Sequence, residues 1–255
     1  MDVHKDTVVA CVRHAGPGGQ ATEHVRTFGT MTAGLLALGD WLAEQGVTHV
    51  AMESTGVYWK PVWNLLEGRL ALLLANAQHI KQVPGRKTDV KDCQWIAHLL
   101  EHRPLRPSFV PERPQRELRD LTRQRGQLVA DRARVANRIQ PFGSAQGEVL
   151  EDANVKLGSV ASDVLGASGR DMLKALAEGK MDAAAMAELA RFRMRVKIPE
   201  LREALAGQVT EHHRFMLRQL LSQVEGLDAQ VAAFPFDSAQ GARVEAVMTP
   251  LERDS

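Results

Sequence analysis

The run Val47-Thr48-His49-Val50-Ala51-Met52 is apolar and β-branched, and it ends on a carboxylate, Glu53, before Ser54-Thr55-Gly56. Such a run reads as a buried strand closed by a glycine turn. An acid at the end of a buried strand is costly unless a partner or a metal ion meets it. The chain must therefore fold around a sheet with charge at its strand ends. Asp2 is a second acid of this kind, standing directly before the β-rich run Thr7 to Val12.

A further pair stands in Lys87-Thr88-Asp89-Val90-Lys91-Asp92-Cys93-Gln94-Trp95-Ile96-Ala97-His98-Leu99-Leu100, which reads as a loop turning into a helix. Thr88 or Asp89 can cap it, and Val90, Trp95, Ile96, Leu99 and Leu100 supply an apolar face. Asp89 and Asp92 stand three apart on the same side of the first turn, where the helix dipole tolerates negative charge. Acids in a first turn are ordinary in helices; Asp2 and Glu53 upstream give these two another reading. Four converging carboxylates repel one another unless divalent cations lie between them. Hard oxygen ligands suit Mg²⁺ or Mn²⁺, and two such ions clamp an in-line phosphoryl displacement.

Around these acids the pattern is that of an α/β layer fold. Thr7 to Arg13 and Glu23 to Phe28 read as strands joined by a Gly-Pro turn. Thr32 to Gln45 reads as a helix burying Leu35, Leu36, Leu38, Trp41 and Leu42 and ended by Gly46. Val57 to Leu66 is a short helix whose Tyr58, Trp59 and Trp63 are expected beside the site, and Leu70 to Ala75 a further buried strand. His79 either touches phosphate or caps a loop, and the loop is favoured. Ligands of such sheets bind outside the strand ends, where Glu53 falls.

Pro104, Pro107, Pro111 and Pro114 each remove a backbone donor, and they mark a linker over 104–114 between a domain over 1–103 and a helical arm over 115–234. Residues 235–255 form an irregular tail. In the arm, Gln115 to Gln140 reads as a long helix with Leu118, Leu121, Leu128, Val135 and Ile139 at coiled-coil spacing, interrupted by Arg125 and Arg132. Asp182 to Phe192 and Ile198 to Ala206 also look helical. Val209 to Phe234 carries Leu217, Leu220, Val224, Leu227, Val231 and Phe234 on one seam. Pairing of the two seams, within or between chains, would make the arm a coiled coil and the protein a homo-oligomer. Pro141-Phe142-Gly143-Ser144-Ala145-Gln146-Gly147 recurs as Pro235-Phe236-Asp237-Ser238-Ala239-Gln240-Gly241, a repeat read as tolerated loop insertions.

Net charge over the 255 residues is +1, so charge taken whole says nothing about nucleic acid. Between Lys81 and Arg138, however, 14 Lys or Arg stand against 7 Asp or Glu, and phosphate binding needs only such a local field. Candidate phosphate contacts here are Lys87, Lys91, Arg116, Arg123, Arg125, Arg132, Arg134 and Arg138. Arg191, Arg193, Arg195, Lys197 and Arg202 form a second basic cluster. Cys11 and Cys93 make neither zinc spacing nor a disulfide framework, which suits a reducing cytoplasm. The most apolar run, Leu70 to Ala75, is too short to span a bilayer.

Asp2-Val3-His4-Lys5, Met52-Glu53-Ser54-Thr55-Gly56 and Lys87-Thr88-Asp89-Val90-Lys91-Asp92 together resemble, in order, the N-terminal domain of the DEDD-type insertion-sequence transposases, relatives of the Piv-type DNA invertases. The resemblance covers about the first 140 residues firmly. It implies an RNase H-like, RuvC-like mixed sheet with flanking helices, followed by the helical arm. It also implies that Asp2, Glu53, Asp89 and Asp92 are the catalytic tetrad binding Mg²⁺ or Mn²⁺. The activity implied is recombination of DNA at phosphodiesters by a cytoplasmic, nucleoid-associated protein, with a structured guide RNA from its own element as a further partner. Two departures from the family pattern stand out. The strand holding Asp2 lacks residues on its N-terminal side, as a late start or a fragment would. No nucleophilic serine in a Gly-rich setting follows Phe234, so the family's second domain is expected to be missing and the chain to be inactive alone. The alternatives are a nucleic-acid-binding dimerisation module without catalysis and a RuvC-like structure-selective nuclease.

Overall fold

The computed structural model describes residues 1–16, 21–53, 56–75, 89–102, 105–139 and 149–235. They fall into two compact units, one within Met1–Glu112 and the other starting at Arg113.

In the first unit, β1 (Asp2–Val3), β2 (Thr7–Ala15) and β3 (Ala21–Gly29) form an antiparallel sheet, with Asp2 opposite Val9 and Val8 opposite Phe28. After α1 (Thr32–Glu44), β4 (His49–Glu53) pairs in parallel with β5 (Ala71–Ala75), and α2 (Trp59–Leu66) makes the crossover. The Met1 amino group donates to the Ala51 carbonyl at 2.7 Å and joins the two pieces. The strands thus form two sheets, β1-β2-β3 and β4-β5, with β1 lying beside β4. This is a mixed α/β unit.

Period-two alternation sorts its side chains. Met1, Val3, Val8, Ala10, Val12, Val50 and Met52 pack against Leu35, Leu38, Trp41 and Leu42 of α1 and Val62, Trp63 and Leu66 of α2. Ala51 and Ala75 face the other way, onto Ile96 of α3 (Asp89–His102). Each large apolar side chain so buried contributes about 1.5–3 kcal/mol. The sheet is thus covered by α1 and α2 on one face and by α3 on the other. Gly46, at φ 65°, ends α1 in the left-handed conformation that a Cβ disfavours.

The second unit is helical: α4 (Arg113–Ile139), α5 (Val149–Asp152), α6 (Leu157–Val160), α7 (Ala167–Glu178), α8 (Ala183–Ala187), a 3₁₀ turn (Phe192–Lys197), α9 (Ile198–Ala204) and α10 (Glu211–Ala232). Leu217, Leu220, Leu221 and Val224 of α10 bury with Met172, Leu173 and Leu176 of α7, and with Ile139 at the end of α4. The two long helices therefore meet within one chain. Thr210 caps α10, its hydroxyl accepting from the His213 amide while His213 Nδ1 accepts from the Thr210 amide.

Several elements differ from the sequence reading. Pro114 lies inside α4, in a first turn whose amides need no intrahelical acceptor, rather than in a linker. The helix expected over Asp182 to Phe192 ends at Ala187, and Phe192 opens a 3₁₀ turn instead. Helix α7 was not read from its Ala-, Gly- and Ser-rich sequence at all. Leu36 and Leu121, expected on buried faces, are 47% and 41% exposed.

Candidate active site

Strand alternation decides which way the sheet acids face. Met1 and Val3 point toward α1 and α2, so Asp2 between them points toward α3; Glu53 shares the direction of Ala51. Asp2 is buried at 6% exposure, and its Oδ2 lies 3.1 Å from His4 Nε2. Glu53 is half-buried at the end of β4. The Met1 amino group is buried near both acids. Desolvation pushes its pKa below the ordinary value, opposed by the neighbouring Cys93, Asp2, Cys11 and Glu53.

Helix α3 lies across β1, β2, β3 and β4. Its Cys93 is fully buried and hydrogen-bonded to Cys11 of β2. That bond lowers the Cys11 pKa, and together with burial it raises that of Cys93. Gln94 Nε2 donates to Glu23 Oε2 at 2.8 Å. Arg13 of β2 donates both to Glu23 of β3 and to Glu101 near the end of α3. The Glu101 contact, ahead of the burial that opposes it, raises the Arg13 pKa. Sequence reasoning missed this polar attachment. Its signal was the alternation of Val9, Cys11 and Arg13 on the face opposite Val8, Ala10 and Val12.

Asp2, Glu53 and α3 are thus on one face of the sheet. Asp92 is half-buried in the first turn of α3. Among the described residues, no three of His, Cys, Asp and Glu gather as a metal-binding group. The side chains of Asp89, Val90 and Lys91 lie outside the described residues, as do Lys87 and His79. Trp59 and Trp63, expected beside the site, stack edge to face at 5.7 Å between ring centroids and pack into the opposite layer. Tyr58 is 43% exposed. Between β2, β4 and α3 a cavity of about 410 Å³ is lined by Met1, Cys11, Arg13, Val50 and Ile96.

On α4 of the second unit, the candidate phosphate contacts divide. Arg132 donates to Asp228 of α10, which also accepts from Arg170 of α7. Arg125 is half-buried, its Nε shielded and without a hydrogen-bond acceptor among the described residues. Arg116 is half-buried. Arg123 and Arg134 are exposed and pair within the helix, at 3.8 Å with Asp120 and with Asp131 respectively. Arg138 is exposed in the last turn. The two cations that interrupt the seam therefore face their own unit, and the solvent-facing field comes from the others. Among the described residues, no helix is long and apolar enough to cross a membrane.

Residues 1–142 match the family model of the DEDD, IS110-type transposases, described as transposase. The chain is also similar to an uncharacterized 44.8 kDa protein of insertion element IS116 from Streptomyces clavuligerus, at 39% identity over 101 residues, or 33% of this chain. The match spans 25% of that relative's length. With the family model covering more than half of its length, the chain belongs to the DEDD-type insertion-sequence transposases.

Proposed function

We propose that the Met1–Glu112 unit is an RNase H-like catalytic domain that acts on DNA phosphodiesters with Asp2, Glu53, Asp89 and Asp92 as a metal-binding tetrad. The observation that carries this reading is alternation: Asp2 and Glu53 lie on the sheet face that α3 covers, and α3 bears the other two acids at its N-terminal end. An antiparallel β1-β2-β3 sheet beside a parallel β4-β5 pair supports the fold assignment.

The donor set is chemically suited to a hard divalent ion, since all four ligands are carboxylates. Mg²⁺ or Mn²⁺, if held by them, would supply positive charge next to a phosphate. The chain's own residues do the rest. Buried Asp2 is fixed by β pairing to Val9 and by its contact with His4. Glu53 is fixed by the pairing of its strand with β5. Asp89 and Asp92 share the first turn of a helix bonded to β2 and β3, so their backbone needs little rearrangement before reaction.

DNA is the proposed substrate, with Arg123, Arg134 and Arg138 of α4 as electrostatic contacts to its backbone. The test is calorimetric titration with Mn²⁺ alongside incubation with DNA carrying the element's ends. Glu53→Gln and Asp92→Asn should each weaken Mn²⁺ binding and abolish Mg²⁺-dependent strand breakage. Equal Mn²⁺ affinity in wild type and both variants would sink the shared-site reading.

A further inference from the structure

The 3₁₀ turn Phe192–Lys197 joins strong charge to exposed apolar surface. Phe192 is 88% exposed and Val196 82%. Phe192 also has a φ of 50°, a left-handed conformation that an aromatic residue rarely adopts. The preceding residue holds it there. The Arg191 amide donates to the hydroxyl of buried Ser168 at 2.9 Å, and the Arg191 guanidinium pairs with Asp171.

In a 3₁₀ helix, residues three apart eclipse one another, so the turn has three ridges. One faces its own unit: Met194 packs against the helical core, and Lys197 Nζ donates to the Val160 carbonyl at 2.9 Å. The other two, Phe192 with Arg195 and Arg193 with Val196, face solvent. Neither Arg193 nor Arg195 has an ion pair among the described residues, whereas Arg202 is committed to Glu188. From Arg191 to Lys197 the sequence carries four cations and no acid. An open aromatic ring with uncommitted guanidiniums on both ridges matches a nucleobase between phosphates. Two apolar side chains offer a membrane little area to insert.

We propose that this turn is a second nucleic-acid site, one that takes unpaired nucleotides by stacking a base on Phe192 while Arg193 and Arg195 hold the flanking phosphates. Duplex DNA keeps its bases stacked on one another and offers no free face to the ring, so the site selects single-stranded or unpaired segments of DNA or RNA. The inference rests on the reading of the chain as nucleic-acid-binding, but on a different unit and different residues from the tetrad.

The experiment measures binding of the full chain to labelled oligothymidylate, oligouridylate and a mixed-sequence duplex by fluorescence anisotropy at one salt concentration. Phe192→Ala should weaken single-strand binding by roughly ten- to a hundredfold, the range of a lost stacked base, and leave duplex binding unchanged. Phe192→Trp should retain binding, and its added indole fluorescence should be quenched by the single strand. Oligothymidylate and oligouridylate distinguish DNA from RNA as the preferred source of the unpaired base, and tighter binding of either supports the site. Duplex binding intact with single-strand binding unaffected by Phe192→Ala overturns this inference alone. A chain that binds no oligonucleotide overturns the nucleic-acid reading as well. Binding to phosphatidylserine vesicles that needs Phe192, without single-strand binding, overturns it in favour of a lipid surface.

Discussion

Arg132 of α4 donates to the carboxylate of Asp228 on α10, 96 residues further along the chain. Arg170 of α7 donates to the other oxygen, so one carboxylate ties three helices together. Burial pushes the Asp228 carboxyl upward, but the Arg170 and Arg132 guanidiniums outweigh it and hold the pKa below its ordinary 3.8. A lowered folded-state pKa adds stability that is present above the unfolded value and is lost as pH falls through the folded one. Asp228→Asn should therefore cost about 1 kcal/mol at neutral pH, discounted for its partial exposure. The difference from wild type should close as pH falls below 3.8 and through the lowered folded-state pKa. Urea denaturation of both proteins at neutral and acid pH reads it directly, and a gap that persists in acid would contradict the assignment.

Gly34, in the first turn of α1, should reverse the usual sign of a helical Gly→Ala change. Helix propensity alone favours alanine by about 1 kcal/mol. A Cβ at this position would meet the Gly29 carbonyl oxygen at 2.3 Å, a backbone atom that cannot rotate away. Gly34→Ala should destabilise the first unit by about 1–3 kcal/mol. A thermal midpoint at or above that of wild type would show that the backbone at Gly29, the end of β3, yields.

Cys11 should be the reactive thiol. It is half-exposed and its pKa is lowered by the hydrogen bond from Cys93, whereas Cys93 is fully buried. Alkylation by iodoacetamide, followed by mass spectrometry, should modify Cys11 first. Removing the bond in Cys93→Ala should return Cys11 toward its ordinary value and slow its reaction at mildly alkaline pH, because less thiolate is present. Faster alkylation in the variant would place the control in access instead.

Salt dependence should separate the arginines of α4. Arg123, Arg134 and Arg138 are exposed, whereas Arg132 is engaged with Asp228. Replacing the three exposed residues with Gln should reduce the slope of log K for DNA against log salt by roughly 0.7 to 0.9 for each phosphate no longer neutralised. Arg132→Gln should lower stability and leave the slope alone. A slope that falls only in Arg132→Gln would exchange the roles.

The legible part of this fold was the part written in short periods. The apolar run before Glu53 and the alternation through β2 were enough to foresee a sheet with an acid at a strand end. They did not reveal that Arg13 would reach Glu101, because that contact depends on where α3 lies. Pro114 was misread for a local reason: proline breaks a helix interior but not a first turn. Helix α7 was missed because its buried face includes Ser168, Gly169, Ala175 and Ala177, small residues that hydropathy does not flag but close packing needs. Asp2 and Glu53 were singled out from the sequence as acids of the proposed site, and their common face follows from parity. The remote pairing of Cys11 with Cys93 follows from no spacing in the sequence.

The attachment of α3 has a mechanical consequence. Its polar bonds to the sheet, through Cys93, Gln94 and Glu101, run from its second turn to its far end. At 1.5 Å per residue, Asp89 lies about 18 Å along the axis from Glu101. A tilt of about 5° over that length moves one end by about 1.5 Å relative to the other, and the bonds at Cys93, Gln94 and Glu101 together oppose it. Displacements of that size are enough to disarm a catalytic constellation. On the proposed reading, the placement of the acids on α3 relative to those on the strands would be set in part by an arginine and a glutamate a helix length away.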